Sequence, residues 1–317
     1  MKEGLTDSII CPECKNRLFL SVDEKSGEDV MTGQLKCSLN HTYLIQRGVP
    51  CLILRHSWSE TKKLTEVSFS SKWKRVPDYI EKASHFYTQW YLDRYGFGTE
   101  ENLRKFLSGK KNVLDAGTGT GRDSKMYAEN FNGEVFGIDI SDGIYFAYDK
   151  LKDKSNLNLI QADLTKLPFP EEFFDLIACD QVIHHTPNTR ESLRGLLRHL
   201  KPGGHILFYV YKKKGPIREF SDDYIRNIST KMSEDDCYKF SEIITEFGKS
   251  LAKLNVEIDV PEDIPILEIK KGKYNLQRFF HWHLFKCFWN DDFDLNTNIM
   301  INYDWYHPVD AHRHTVE

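Results

Sequence analysis

The feature that most constrains this chain is a glycine-rich turn that joins an apolar run to the start of a helix. Residues 113–121 read Val-Leu-Asp-Ala-Gly-Thr-Gly-Thr-Gly, and a helical stretch follows. Glycines permit the tight turn and let the backbone approach a ligand, and the helix N-terminus offers free N–H groups to an anion. The same pattern occurs in dinucleotide sites, so on its own it does not choose the cofactor.

Short apolar runs and helical stretches alternate around this turn. The strand-like runs are 112–116, 134–140, 157–161, 174–179 and 205–211. The helical stretches are 123–130, 143–152 and 190–200, and a Lys-Pro-Gly-Gly turn at 201–204 stops the last one. This alternation predicts a Rossmann-like α/β fold with a doubly wound parallel sheet.

Acidic residues stand where three of these runs end. Asp139 ends the second run, 18 residues after Gly121, while Asp163 follows the third and Asp180 follows the fourth. The carboxyl ends of parallel strands share one edge of the sheet, so these acids are expected to face a ligand there. The spacing places Asp139 where ribose hydroxyls are bound, and Asp163 suits an adenine amino group.

Together these motifs resemble the class I S-adenosylmethionine-dependent methyltransferases. The resemblance covers about 113–211, through VLDAGTGTG, GIDIS, QADLTKLPF, FDLIACDQVIHHT and LKPGGHILFYVY, and it favours this cofactor over NAD. The cofactor-binding residues that it implies are Asp115, Gly117, Thr118, Gly119, Gly121, Asp139, Ile140, Asp163, Leu164 and Asp180. Asp115 and the glycine loop would hold the methionine moiety, with Asp180 near that end. Thr118 departs from the Cys or Gly usual in the family.

The N-terminal region carries a second constellation, built from cysteines. The chain has seven cysteines, and four lie within the first 51 residues. Cys11 and Cys14 form a CxxC pair, and Cys37 and His41 form a second pair, separated from the first by β-like runs. Zinc prefers four tetrahedral Cys and His ligands, and such a closed set predicts a structural site. Cys51 is an alternative fourth ligand.

This region resembles the zinc ribbons that are fused to some methyltransferases, including ribosomal-RNA guanine-N1 enzymes, and the small zinc proteins that activate methyltransferases in trans. The stretch CPEC…CSLNH-TYLIQRGVPCLIL carries the resemblance. A wider set of bacterial fusions of undefined substrate shares the ribbon, a Phe/Trp-rich linker like 69–73, and a Trp-Tyr-x-Pro…His-Arg-His-Thr element, here at 305–308 and 312–315.

Composition limits the choice of partner. Lys and Arg number 43 against 47 Asp and Glu, a net charge of -4, which argues against a strongly basic nucleic-acid binder. Residues 55–111 hold 12 basic and 7 acidic residues interleaved with aromatics, and 78–95 is predicted to be helical. This linker is either an amphipathic helix with a solvated basic face and an aromatic core face, which is favoured, or a phosphate-backbone binder.

The C-terminal region predicts an unusual end to the fold. Residues 225–254 have a helical pattern, and aromatic and histidine residues follow without a clear period. No final strand pair is recognisable after Tyr211, and 314–317 have the pattern of a helix start. The predicted regions are a zinc ribbon at 1–54, an aromatic and basic helical linker at 55–111, a cofactor-binding core at 112–211, and a helical insertion or substrate region at 212–317.

The sequence therefore predicts a methyltransferase that acts on a small-molecule, sugar or lipid-linked acceptor and uses S-adenosylmethionine and structural Zn²⁺. His184 and His185 are the candidate general bases, needed only where the acceptor carries a proton; His307, His312 and His314 are further candidates. A ribosomal-RNA methyltransferase and a non-catalytic scaffold whose ribbon docks a partner are the alternatives. No membrane-spanning run or secretory segment is recognisable, which predicts a cytoplasmic protein and leaves its oligomeric state open.

Overall fold

The computed structural model describes residues 1–55, 58–76 and 79–315, with the side chains of 79–85 left out. The chain forms two compact units, Met1–Val210 and Tyr211–Glu317. None of the helices within the described ranges combines the length and apolar character that crossing a membrane requires. The finer division into four regions stays a prediction.

Nine strands of the first unit form one sheet, in the order β1-β2-β3-β4-β7-β6-β5-β8-β9. They are β1 (Leu18–Ser26), β2 (Asp29–Cys37), β3 (Thr42–Gln46), β4 (Val49–Leu52), β5 (Asn112–Ala116), β6 (Glu134–Asp139), β7 (Leu157–Ala162), β8 (Phe174–Asp180) and β9 (Leu200–Tyr209). β5 to β9 are parallel, which confirms the predicted α/β class with a doubly wound sheet.

The N-terminal strands are continuous with this sheet. From β1 to β4, each strand pairs antiparallel with the next one along the chain. β4 then pairs parallel with β7, with Cys51 opposite Gln161. The predicted ribbon strands therefore extend the main sheet and cover the edge of β7. Cys51 lies at this junction and belongs to a strand rather than to a metal-binding turn.

Alternate residues of the central strands enter two separate cores, one on each face of the sheet. Leu114 and Phe136 pack in a core that includes apolar residues of the N-terminal strands, whereas Val113 and Val135 pack in the other. Parallel strands buried on both faces explain the near-continuous apolar runs in the sequence.

Helices cover the faces and the carboxyl edge of the first unit. They are α1 (Glu60–Arg75), α2 (Tyr79–Arg94), α3 (Glu100–Leu107), α4 (Arg122–Asn130), α5 (Gly143–Leu151) and α6 (Thr189–Arg198). α2 matches the helix predicted at 78–95, although Asp78 lies outside the described residues. Ser59 caps α1 by accepting the backbone N–H of Lys62.

The fifth parallel strand starts earlier than predicted. β9 begins at Leu200 rather than at 205, because Leu200 already pairs with β8 and the Lys-Pro-Gly-Gly segment forms an irregularity before pairing resumes at His205. Leu200 lies opposite Phe174, and His205 lies opposite Leu176. Within the described residues no strand after β9 joins the nine-stranded sheet.

The second unit is mostly helical. It contains β10 (Tyr211–Lys212), α7 (Pro216–Ser229), α8 (Glu234–Lys253), β11 (Glu257–Val260), β12 (Gly272–Asn275), α9 (Leu276–His283), α10 (Leu295–Tyr306) and β13 (Arg313–His314). The expected helix start at 314–317 is wrong for the part that is described, because Arg313 and His314 pair parallel with β10. Residues 316 and 317 lie outside the described ranges.

Candidate functional site

The glycine turn lies at the carboxyl end of β5 and requires glycine for both conformation and space. Gly117, Gly119 and Gly121 have φ of 93°, 57° and 93°, in the left-handed region that side chains disfavour. A Cβ at Gly117 would lie 2.4 Å from the Val182 side chain. Gly121 is the N-cap of α4, so the turn passes directly into a helix N-terminus, as the sequence predicts.

Asp115 lies beneath this turn and is almost fully buried. Its Oδ2 accepts a hydrogen bond of 2.8 Å from Ser124 Oγ, which itself accepts one of 2.8 Å from Thr118 Oγ1. Burial, together with the nearby Asp123 carboxylate, raises the pKa of Asp115 to about 7. Thr118 thus belongs to the hydrogen-bond chain that holds the turn on its strand.

Asp139 stands at the end of β6 and is bonded to the turn itself. Its Oδ2 accepts the Gly119 N–H at 2.7 Å, and its Oδ1 accepts from Ser141 N at 2.8 Å and Ser141 Oγ at 2.6 Å. Burial raises the pKa of Asp139. Ile140, which follows, is half-buried and accepts the Gln161 amide through its carbonyl.

Asp163 follows β7 and has a cationic partner from α1. Lys62 Nζ lies 2.6 Å from its Oδ2, and both side chains are largely buried. Thr165 donates from its N at 2.8 Å and its Oγ1 at 2.7 Å to Oδ1. Leu164 begins the short turn that these bonds hold and is half-buried.

Asp180, the last residue of β8, has partners at the C-terminal end of α2 and just beyond it. Its Oδ1 accepts hydrogen bonds from Arg94 Nη1 and, at 2.8 Å, from Tyr95 Oη. Gln181 donates to Oδ2 at 3.1 Å and has a φ of 61°, so the chain turns sharply there. Asp115, Asp139, Asp163 and Asp180 all lie at the carboxyl ends of adjacent strands; we call this set the acid edge.

α1 covers the acid edge with an unusual face. Its buried side chains are small or cationic: Thr65, Ser68, Ser70, Ser71 and Lys72. Leu64 and Val67 are exposed instead, at 52% and 44%. A helix normally turns its apolar side inward, so this reversal indicates that α1 faces a polar site.

Trp73 of α1 lies directly over the glycine turn. A Cβ at Gly119 would lie 2.7 Å from its ring, and a Cβ at Gly143 would lie 2.6 Å from it. The α1 residue Ser70 accepts the backbone N–H of Asp142 at 3.0 Å, which fixes the helix to the start of α5. The Trp73 indole therefore packs directly on the glycine backbone of the turn.

Several linker residues depart from the expected amphipathic pattern, although Tyr87 and Tyr91 are buried as it predicts. Lys62, Lys72 and Arg94 do not form a solvated basic face; Lys72 is 6% exposed, and the other two pair with Asp163 and Asp180. Phe86 and Trp90 are exposed at 43% and 41% rather than buried. Sequence reasoning missed these contacts, and the serine-rich stretch before Trp73 was the available signal.

The candidate bases lie in the short turn that follows β8. His184 is fully buried and His185 is 7% exposed, with their ring centroids 4.2 Å apart. The ring of Phe69 from α1 packs edge-on to His185 at 5.0 Å. The turn begins three residues beyond Asp180, so the structure places both histidines beside the acid edge.

The predicted metal ligands converge. One ligand atom from each of Cys11, Cys14, Cys37 and His41 lies within 4.8 Å of all the others; we call this set the Cys/His cluster. His41 Nδ1 is 3.4 Å from Cys11 Sγ and 3.5 Å from Cys37 Sγ, and the Cys14 and Cys37 sulfurs are 3.5 Å apart. Tetrahedral zinc with these ligands requires separations of roughly 3.5–3.8 Å, so the donor set fits that ion.

Two tight backbone turns present the Cys/His cluster. Lys15 N donates to Cys11 O at 2.9 Å, and Asn40 N donates to Cys37 O at 3.0 Å. Lys15 and Asn40 have φ of 60° and 67°, the left-handed conformation that closes each turn. Tyr43 Oη lies 3.2 Å from Cys11 Sγ and supports that sulfur from outside the set.

The core of the first unit is similar in sequence to a known protein family. Residues 114–208 match the family described as a methyltransferase domain. The ubiquinone/menaquinone biosynthesis C-methyltransferase of Ectopseudomonas mendocina is 37% identical over 109 residues, which are 32% of this chain and 43% of that protein. The enzyme of the same name from Pectobacterium atrosepticum is 33% identical over 174 residues, 50% of this chain and 63% of that protein.

Among solved structures, the YcgJ protein of Bacillus subtilis is 26% identical to this chain. The match covers 40% of this chain and 58% of the YcgJ chain, with a TM-score of 0.35. The chain spans about half the length of the curated relatives that it matches. The residues that match the methyltransferase domain include the parallel-sheet core, where the acid edge lies.

Proposed function

We propose that this protein is an S-adenosylmethionine-dependent methyltransferase with a small-molecule acceptor. The observation that carries the proposal is the acid edge: a glycine turn and four carboxylates meet at one end of a sheet whose residues match a methyltransferase domain. A Cβ at Gly117 would clash with Val182 and a Cβ at Gly119 with Trp73, so only glycine lets the backbone make this tight turn.

Each residue has a role in holding this cofactor. Asp139 would accept the ribose hydroxyls while keeping Gly119 in place, and Asp163 would accept the adenine amine. Asp115 and the glycine turn would hold the methionine moiety. Asp163 and Asp180 already have cationic partners, but a carboxylate has about four acceptor positions and can serve both. Ile140 and Leu164, half-buried beside two of these acids, would flank the adenine.

The bound cofactor supplies an electrophilic methyl group on its sulfonium. The protein then has to align the acceptor and exclude water. Trp73 and Phe69 of α1 stand over the turn and over His185, and they would do both. His185, with His184 behind it, would take the proton from an acceptor that carries one.

The positions of three cations in the linker support a small-molecule acceptor rather than an RNA acceptor. Lys62, Lys72 and Arg94 face the acid edge and are not available to a phosphate backbone. The relatives named above are C-methyltransferases of quinone biosynthesis, which also supports a small acceptor.

Cofactor binding tests the proposal first. Calorimetric titration with S-adenosylmethionine should give saturable binding to the full chain, weakened roughly tenfold or more by Asp163→Asn through loss of a charge-assisted hydrogen bond. Asp153→Asn, an exposed acid beyond α5, is the matched control and should leave the affinity unchanged. Equal affinity in both variants would remove Asp163 from the site.

Methyl transfer tests the acceptor class. Radiolabelled cofactor is incubated with a cell extract that is then separated into RNA, protein, lipid and small-molecule fractions. Label in the small-molecule or lipid fraction supports the proposal, label in RNA supports the ribosomal alternative, and tight binding without transfer supports the scaffold. Alanine at both His184 and His185 should abolish turnover of a proton-bearing acceptor; unchanged turnover would exclude them as bases.

We also infer that the Cys/His cluster holds one structural Zn²⁺. Four protein ligands leave no open coordination position, so the ion would stabilise the N-terminal strands rather than react. Elemental analysis should find one zinc per chain, lost in Cys14→Ser and retained in Cys51→Ser, a cysteine outside the cluster. Full zinc content in both variants, or none in the parent protein, would contradict the assignment.

A further inference from the structure

The second unit contains a group of cations gathered around two indoles. Lys214, Arg218, His281, Trp282, Lys286 and Trp305 form what we call the Trp305 cluster. The Arg218 guanidinium carbon lies 5.4 Å from the centroid of the Trp305 ring, and Lys286 Nζ lies 5.1 Å from it. Lys214 Nζ lies 4.2 Å from the Trp282 ring, against which His281 packs edge-on at 4.9 Å.

Positive charge in this cluster is only partly compensated. Arg218 is 2% exposed and donates through Nε to Asp222 Oδ2 at 2.5 Å and through Nη1 to the His281 carbonyl. Within the described part of the chain, the two lysine amines contact aromatic rings and form no ion pair. A half-buried ammonium without a carboxylate partner is costly, because burial removes its hydration.

Two neutral ring nitrogens in the cluster also lack protein partners. Trp305 Nε1 and His281 Nδ1 are buried, their residues 4% and 6% exposed, and neither atom has a hydrogen bond among the described residues. Buried polar atoms are satisfied in the great majority of cases. Two unpartnered nitrogens beside three cations therefore indicate a ligand that accepts hydrogen bonds and carries negative charge.

We propose that the Trp305 cluster binds a phosphoryl group, with Arg218 and Lys286 contacting its oxygens and Lys214 at its rim. The Arg218 N–H groups that are not donated to Asp222 or to the His281 carbonyl, together with two ammonium groups, match the oxygens of phosphate or diphosphate, and the indole N–H adds a neutral donor. The inference does not rest on methyl transfer, since it concerns binding alone and its failure would leave that proposal standing.

The titration behaviour of the amines supports the assignment. Burial, followed by the charge of Arg218, lowers the pKa of Lys286 to about 7 and that of Lys214 to about 8. The groups that face Lys286 are Arg218 and Asp222 of α7, Asp304 of α10, and Lys214 before α7; His281 and Arg278 of α9 share the same neighbourhood. A bound anion would favour the charged amines, so ligand binding should take up protons at pH 8.

The test is a calorimetric titration of the full chain with inorganic phosphate and with pyrophosphate as probes. We expect saturable binding, weakened roughly ten- to hundredfold by Lys286→Met and largely restored by Lys286→Arg. Lys253→Met, an exposed lysine of α8, is the matched control and should bind as the parent does. A single cooperative thermal transition, at or above the melting temperature of the parent, would show that each variant remains folded.

Two further measurements make the outcome decisive. At pH 8, titrations in buffers of different ionisation enthalpy should show net proton uptake that falls in Lys286→Met. Sedimentation with phosphatidylcholine vesicles, with and without phosphatidic acid, separates the sources of the group: binding that depends on phosphatidic acid assigns a lipid headgroup, and binding of the free probes alone assigns a soluble ligand. Absence of saturable binding below about 10 mM with every probe, or equal affinity in Lys286→Met, would overturn the proposal.

Discussion

Arg94 and Lys286 are half-buried cations that both lie over aromatic rings, and of these two only Arg94 forms an ion pair among the described residues. At the acid edge, the Arg94 guanidinium carbon lies 3.8 Å from the Trp90 ring centroid and 4.2 Å from that of Tyr209, and its Nη1 also pairs with Asp180. In the Trp305 cluster, Lys286 has the ring without the ion pair. Arg94 thus has its counter-charge within the protein, whereas Lys286 would obtain one only from a bound ligand.

The comparison predicts opposite signs when each charge balance is altered. Removing Asp180 leaves the buried Arg94 guanidinium without its carboxylate, which should lower the free energy of unfolding. Removing the Lys286 ammonium takes away a charge that has no carboxylate partner, which should raise it. Stability measurements on single variants can therefore separate a structural ion pair from a binding site, independently of any activity.

The largest effect is expected for Asp180→Ala. Without this carboxylate, Arg94 remains largely buried and unpaired, and the free energy of unfolding should fall by about 3 kcal/mol. Denaturant unfolding measures it. The double variant Asp180→Ala/Arg94→Met should recover part of the loss; a neutral Asp180→Ala would show that the pair contributes nothing and would end the comparison.

A smaller effect of opposite sign is expected for Lys286→Met. Replacing the unpaired cation by an apolar side chain should raise the free energy of unfolding by about 1 kcal/mol at pH 6, in buffer without phosphate. The pKa of Lys286 is lowered to about 7, so between that value and the ordinary 10.5 the unfolded chain binds more protons than the native one.

The parent protein should therefore gain stability as pH rises above 7, and the advantage of Lys286→Met should shrink over the same range. Urea unfolding of both proteins at pH 6 and pH 9 gives the difference directly. A destabilised variant at pH 6 would mean that the charge is already satisfied in the parent protein.

The smallest effect is expected for an exposed pair that serves as the baseline. Lys105 and Glu101 of α3 lie 2.8 Å apart at i,i+4 spacing, and both side chains are about 70% exposed. Lys105→Met should change the free energy of unfolding by less than about 0.5 kcal/mol. A change as large as that of Asp180→Ala would show that ion-pair burial does not explain the difference between the two regions.

Local patterns in the sequence predicted the parts of the site that neighbouring residues determine. The glycine turn follows its strand within nine residues, and each pair of the Cys/His cluster closes within five. The acids at 139, 163 and 180 were predictable too, because parallel strands bring their carboxyl ends together whatever the intervening loops do.

What the sequence did not predict depends on distant contacts. The roles of Lys62 and Arg94 require their acids, which lie about a hundred and about ninety residues further along the chain. α1 also reverses the usual periodicity, with Ser68 and Ser71 inward and Leu64 outward, because the surface it covers is polar. Rules of amphipathic pattern assume an apolar core beneath every helix and fail in that setting.

The pairing of β4 with β7 has a consequence for how the chain acquires its structure during synthesis. Cys51 and Gln161 are 110 residues apart, so β4 leaves the ribosome long before its partner exists. Such a non-local pairing slows folding, because a long loop must close before the contact forms. Until it does, the fully buried β7 presents an unpaired apolar edge, the kind of strand that promotes association between nascent chains. The same contact that seals the sheet in the finished protein therefore makes its assembly vulnerable to delay.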